Sequence, residues 1–131
     1  MNIIFGDLVQ QLPDRYTVLE LDTVRFMPAN RCLQAWCVIE NIPMEELSQA
    51  ENNKKMHQDL IEQYKKQNWS FCSQAITALL GRWDKELDTF YYHMLNRVSQ
   101  YQQTPPPADW DGTLIKFETA PDSATDSGHT E

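Results

Sequence analysis

The stretch from His57 to Gln103 constrains the fold most. Its apolar residues recur at helical spacing, interrupted only by residues that stop and restart helices. His57, Leu60, Ile61 and Tyr64 make one stripe. Trp69, Cys72, Ile76, Leu79 and Leu80 make a second, after Asn68. Leu87, Phe90, Tyr91, Met94, Leu95, Val98 and Tyr101 make the third and clearest. Ser48-Gln49-Ala50-Glu51 has the form of a capping box, so the first helix is expected from about Gln49 to Gln67. Gly81 suits the residue after a helix end, and Asp84 is placed to cap the third helix. Helices this short and this amphipathic must pack on one another or on a sheet.

The sheet is expected before Asn41. From Tyr16 to Phe26, Leu19, Leu21 and Thr23 alternate with Glu20 and Asp22, the period of a half-buried strand. Met27-Pro28-Ala29-Asn30-Arg31 turns the chain, and Cys32 to Glu40 alternates again. A lone hairpin is marginal in water and needs a third strand or a helix against it. Thr113 to Phe117 is a candidate third strand, and Asn2 to Phe5 an edge strand or anchoring arm.

Composition narrows the class. Nineteen acidic and eleven basic residues give a net charge of −8, which opposes a phosphate backbone and argues against nucleic acid. Lys54, Lys55, Lys65 and Lys66 are the basic clusters, expected on a wet helix face beside Asp59 and Glu62. No stretch approaches the roughly 20 apolar residues of a membrane span, so a cytoplasmic protein that does not engage membranes is expected. Cys32, Cys37 and Cys72 lack a paired or metal-binding spacing and read as reduced thiols.

Leu60…Tyr64-Lys65-Lys66-Gln67-Asn68-Trp69, followed by Cys72, Ile76 and Leu79, resembles one tetratricopeptide unit. There a Leu and a Tyr on the first helix interlock with a small residue and an apolar row on the second. Tyr101 with Pro105-Pro106-Pro107-Ala108-Asp109-Trp110-Asp111-Gly112 is similar to the tail after the terminal repeats of some bacterial adenylate/guanylate cyclases. That resemblance implies a packing style and no cyclase activity, since nothing before Asn41 resembles a cyclase catalytic domain. Phe5-Gly6-Asp7 and Leu19-Glu20-Leu21-Asp22-Thr23 ahead of the helices resemble small uncharacterised proteins of tailed phages, implying host cytoplasm or the virion as the location.

The expected architecture is α+β: a small antiparallel β-hairpin sheet packed on a three-helix, tetratricopeptide-like bundle. One domain spans residues 1–117, with a β-rich part at 1–41, a helical part at 43–103, and a Pro-rich turn and short strand at 104–117. Residues 118–131, rich in Pro, Ser, Thr and Asp, read as a disordered acidic tail.

No catalytic signature stands out, and no cofactor is implied. His57 and His93 lack convergent partners, and His129 lies in the tail. Four tryptophans in a small chain read either as contact residues or as large core residues, and Trp69 and Trp83, which bracket a helix, are expected in the core. Trp36, Tyr91, Tyr92 and Trp110 are the candidate anchors for a protein partner or a second copy, and Trp36 with Val38 makes an open apolar patch if no helix covers it. The expected function is a non-enzymatic interaction or assembly module. The alternative is a metal-dependent enzyme using Glu20, Asp22 and Glu40 on the hairpin face, with His57.

Overall fold

Alternation builds the hairpin, and a bulge then bends it. In the computed structural model, which describes residues 1–117, β2 (Thr17–Met27) and β3 (Arg31–Ile39) pair antiparallel. Asn30 takes the left-handed conformation in the turn between them (φ 59°), as Asn tolerates better than most residues. The register runs Leu19 opposite Cys37 and Glu20 opposite Trp36, then slips so that Thr23 faces Gln34. Leu21 and Asp22 therefore share one partner position. A bulge of this kind turns a residue off the face that alternation assigns it. Strict alternation put Asp22 beside Glu20 on the wet face; instead its carboxylate reaches a helix.

Two short strands complete the sheet. β1 (Asn2–Phe5) pairs antiparallel with β3, and β4 (Leu114–Phe117) pairs parallel with β2 from Val24 to Met27. The order is β1-β3-β2-β4. Among the described residues the sheet is thus four-stranded and mixed, where the sequence suggested an antiparallel one. A parallel neighbour requires a long crossover, and the helical segment supplies it.

The helices are α1 (Ala50–Lys65), α2 (Trp69–Leu79) and α3 (Asp88–Gln103). The expected capping box at Ser48 is not used. A 3₁₀ turn over Met44–Gln49 runs directly into α1, and the Ala50 N–H is satisfied by the Leu47 carbonyl. Asn68 does cap α2, its side chain accepting from the Phe71 N–H. Gly81 follows the end of α2 at φ 84°, its N–H donating to the Asp88 carboxylate. Asp84 does not cap α3, which begins at Asp88. It lies in a turn whose residues Trp83, Asp84 and Lys85 are all left-handed (φ 55°, 52° and 65°). Such residues cost about 1 kcal/mol or more each and persist only where surroundings hold them. Trp83 is buried in the core, and the Asp84 N–H bonds the Glu46 carboxylate, which is that hold.

One interior joins the layers. Leu19, Leu21, Ala35, Cys37 and Ile39 of the sheet meet Leu60, Ile61, Tyr64, Ile76, Leu79, Leu87, Phe90, Tyr91, Met94 and Val98 of the helical side. The helical stripes read from the sequence are the faces that turn inward. The expected tail at 118–131 lies outside the described residues.

Candidate functional site

The four expected anchors have different fates. Tyr91 is fully buried and hydrogen-bonded to His57, so it cannot meet a partner; this corrects its assignment to a surface. Its neighbour Tyr92, a helical step of 100° away, is 54% exposed. Trp110 folds back onto an aromatic cluster with Tyr64, Trp69 and Tyr101, ring centroids 5.1–6.0 Å away. Its indole N–H donates to the Thr113 carbonyl at 3.1 Å. It keeps one side on an open groove of about 460 Å³ also lined by Glu20, Ile61, Lys65 and Asp111. Trp36 is half-buried, and Val38 beside it is buried, so the two do not make the open patch expected of them.

The carboxylates of the alternative reading do not converge. Glu20 pairs with Lys65 at 2.6 Å, Asp22 with Arg97 at 3.0 Å, and Glu40 accepts from the Asn2 amide at 3.3 Å. Among the described residues no three His, Cys, Asp or Glu side chains come close enough to hold one metal ion. Burial raises the Asp22 carboxyl above its ordinary value, and Arg97 opposes that rise. Glu20 and Asp22 serve instead as fastening points between the layers, one engaging α1 and the other α3.

His57 is the third fastening. Among the described residues no strand lies beside β2 from Thr17 to Thr23 on the side away from β3, because β4 begins opposite Val24. His57 of α1 fills the gap, its Nε2 lying 2.6 Å from the Glu20 carbonyl oxygen and its Nδ1 2.9 Å from the Tyr91 hydroxyl. A carbonyl only accepts, so Nε2 carries the proton and Nδ1 accepts from Tyr91. Both contacts suit the neutral ring, and burial lowers its pKa despite the Glu20 carbonyl. His93 lies exposed on α3.

The two buried thiols show no activation. Burial pushes Cys37 up to about 11 and Cys72 up to about 12, far from a nucleophilic thiolate at neutral pH. Cys32 is exposed.

What the sequence reading passed over is the outer rim of the sheet. Ile3 and Phe5 on β1 are 45% and 42% exposed, and Ile115 and Phe117 on β4 are 62% and 77% exposed. Residues two apart in a strand point the same way, so each outer strand presents an apolar pair. Met1 and Leu8 add exposed apolar surface at the β1 end. The signal lay in Ile3-Ile4-Phe5 and Leu114-Ile115-Lys116-Phe117, more apolar than a protected edge should be. Among the described residues no helix is long and apolar enough to cross a membrane.

Comparison with known proteins found no matching family model, no matching curated protein and no matching solved structure.

Proposed function

We propose that this chain is a non-enzymatic interaction module that associates with a protein partner, or with a second copy, through the outer strands of its sheet. The observation that supports it is the pair of exposed large apolar side chains on each outer strand, Ile3 with Phe5 and Ile115 with Phe117. An outer strand offers unpaired backbone N–H and C=O groups, and strand addition satisfies them while alternate side chains supply selectivity. One apolar pair holds on the order of 200 Å² of accessible surface, about 5 kcal/mol of gross transfer free energy. That only matches the lower range of the association cost, so the ladder hydrogen bonds must contribute as well. Tyr92 and the open side of Trp110 are further contact points consistent with this role. The phage resemblance makes a particle component one natural partner, which mass spectrometry of purified particles would identify.

Size-exclusion chromatography with light scattering at micromolar concentration, followed by affinity capture with the tagged chain, tests the proposal. The wild type is expected as an assembly or a stable complex. Ile3→Lys with Phe5→Lys, or Ile115→Lys with Phe117→Lys, is expected to release it while the circular dichroism stays unchanged. A strict monomer that retains no partner overturns the proposal.

A further inference from the structure

The two apolar rims point to opposite sides of the sheet. Ile3 lies opposite Cys37 and Phe5 opposite Ala35, and both partners belong to the core, so this pair projects on the helical side. Phe5 meets Phe26 there, ring centroids 6.2 Å apart. Ile115 and Phe117 lie opposite Arg25 and Met27, out of step with buried Val24, whose partner Leu33 stands two residues from Ala35. Residues two apart share a face, so this second pair projects on the side away from the helices. The rims also differ in charge. Asn2–Phe5 carries none, whereas Lys116 stands between Ile115 and Phe117, the kind of residue that guards an edge against self-pairing. Among the described residues neither outer edge is paired.

We propose that β1 pairs antiparallel with β1 of a second copy, about a two-fold axis through Ile4, joining the two sheets into one. This rests on the reading of the outer strands as contact edges and names the occupant of one of them. Antiparallel pairing of the same edge from two copies turns both helical layers to one side, so side chains of the same face meet. With Ile4 opposite Ile4 of the second copy, Ile3 falls opposite Phe5 and Phe5 opposite Ile3. Each exposed apolar side chain of the strand then lies against another. The other pairings of these edges fit worse. β4 against its own copy, in the register that matches Ile115 with Phe117, sets Lys116 opposite Lys116, like charges directly across a ladder. β1 against β4, in the antiparallel arrangement that brings the apolar pairs to one side, sets Lys116 opposite Ile4. β1 therefore closes on itself, and Lys116 keeps β4 from adding a further copy, so the assembly stops at two. Four residues span about 13 Å, so the contact is smaller than the roughly 1,200 Å² of a standard interface. The dimer is accordingly expected to exchange with monomer in the micromolar range.

Cysteine crosslinking of the full chain tests this, in a Cys32→Ser background that removes the exposed thiol. Ile4→Cys stands opposite itself across the two-fold axis, within reach of a disulfide. Under oxidised glutathione it is expected to give a covalent dimer about tenfold faster than Lys116→Cys does. Ile3→Cys mixed with Phe5→Cys is expected to crosslink faster than either alone. Light scattering of the wild type should rise from monomer to dimer mass with concentration, and stay at monomer mass in Ile3→Lys with Phe5→Lys at unchanged circular dichroism. Three results overturn the proposal: Ile4→Cys joining Lys116→Cys faster than itself, which makes the contact an open β1-to-β4 array; Lys116→Cys dimerising first; or equally slow crosslinking at every position. If, in the last case, the wild type still holds a different protein that Ile3→Lys with Phe5→Lys releases, the outer-strand reading stands and the second copy alone is wrong. A monomer that holds no partner sinks both.

Discussion

His57 does at one point what a whole strand does elsewhere in the sheet, and this ties it to pH. Its hydrogen bond from the Tyr91 hydroxyl belongs to the neutral ring, while the one to the Glu20 carbonyl is kept in either state. Burial lowers its folded pKa below the ordinary 6.5. As pH falls through 6.5 the unfolded chain takes up the proton first, so the stability it contributes is complete above that pH and lost below it. Denaturant midpoints are expected to drop from pH 7 to pH 5. His57→Phe should be less stable at pH 7 and flatter across that interval; an equal slope in both would show that another group titrates. Asp22 has the opposite sign. Its folded pKa is raised above 3.8, so its contribution is present below that value and is lost as pH rises through the folded one. Arg97 limits the cost at neutral pH. The pair is only part-buried, so Arg97→Met should cost about 2 kcal/mol at pH 7, less than the loss of one partner from a fully buried pair. The loss should shrink at pH 4, where Asp22 can be neutral, and a loss identical at both pH values would assign Arg97 a packing role. Asn53 is 3% exposed, and among the described residues its Oδ1 has no hydrogen-bond partner. The burial of this orphaned amide predicts that Asn53→Leu gains about 1 kcal/mol in a denaturant titration, the desolvation cost recovered. Unchanged or lower stability would mean that the amide is satisfied by water.

Between the third helix and the last strand, a single turn decides where β4 lands. Asp111 accepts from the Thr113 N–H at 3.1 Å, Trp110 is clamped by Tyr64, Trp69 and Tyr101, and Gly112 passes against α1 at φ 94°. A Cβ on residue 112 would lie 3.0 Å from Lys65 Cγ, and the left-handed conformation adds its own penalty. Gly112→Ala should therefore cost about 1–2 kcal/mol and loosen β4, measured by denaturation and by hydrogen exchange at Leu114–Phe117. No change in either would mean that the turn accommodates a side chain by moving away from α1. At this scale the sequence is uneven in what it reveals. The helical stripes were legible because a period of 3.6 repeats through many residues. Tyr91 and Tyr92 could have been separated in the same way, since Tyr91 falls in line with Leu87, Met94 and Val98 and Tyr92 does not. The bulge that turns Asp22 inward was hidden, because it is a property of two strands in register rather than of either alone. The left-handed turn at Trp83–Lys85 was hidden for another reason: it contains no Gly or Asn and is imposed by tertiary contacts. The parallel direction of β4 depends on the whole crossover, which a four-residue apolar run does not encode.

Across the whole molecule, cohesion falls from the centre of the sheet outward. β2 and β3 are paired along most of their length and lie under the helices, while among the described residues β1 is paired with β3 alone and β4 with the end of β2 alone. Glu20, Asp22 and the Glu20 carbonyl, the points where α1 and α3 are fastened, all lie on β2. Opening free energies in a native protein track buried contact and paired backbone, so the outer strands belong to the least protected class and the middle of β3 with α2 to the most protected. Native-state hydrogen exchange on the dilute monomer is expected to show Asn2–Phe5 and Leu114–Phe117 exchanging through local opening, with Ala35–Ile39 and Cys72–Leu79 exchanging only on global unfolding. When an outer strand is extended by a partner, its amides gain a ladder and its side chains lose water together. Protection at that strand should rise with concentration or with added partner, while protection in α2 stays level. Equal protection of β1, β4 and β3 in a solution shown by light scattering to be monomeric would mean that the rim is already closed, leaving Ile3, Phe5, Ile115 and Phe117 as scattered surface residues with no partner to seek.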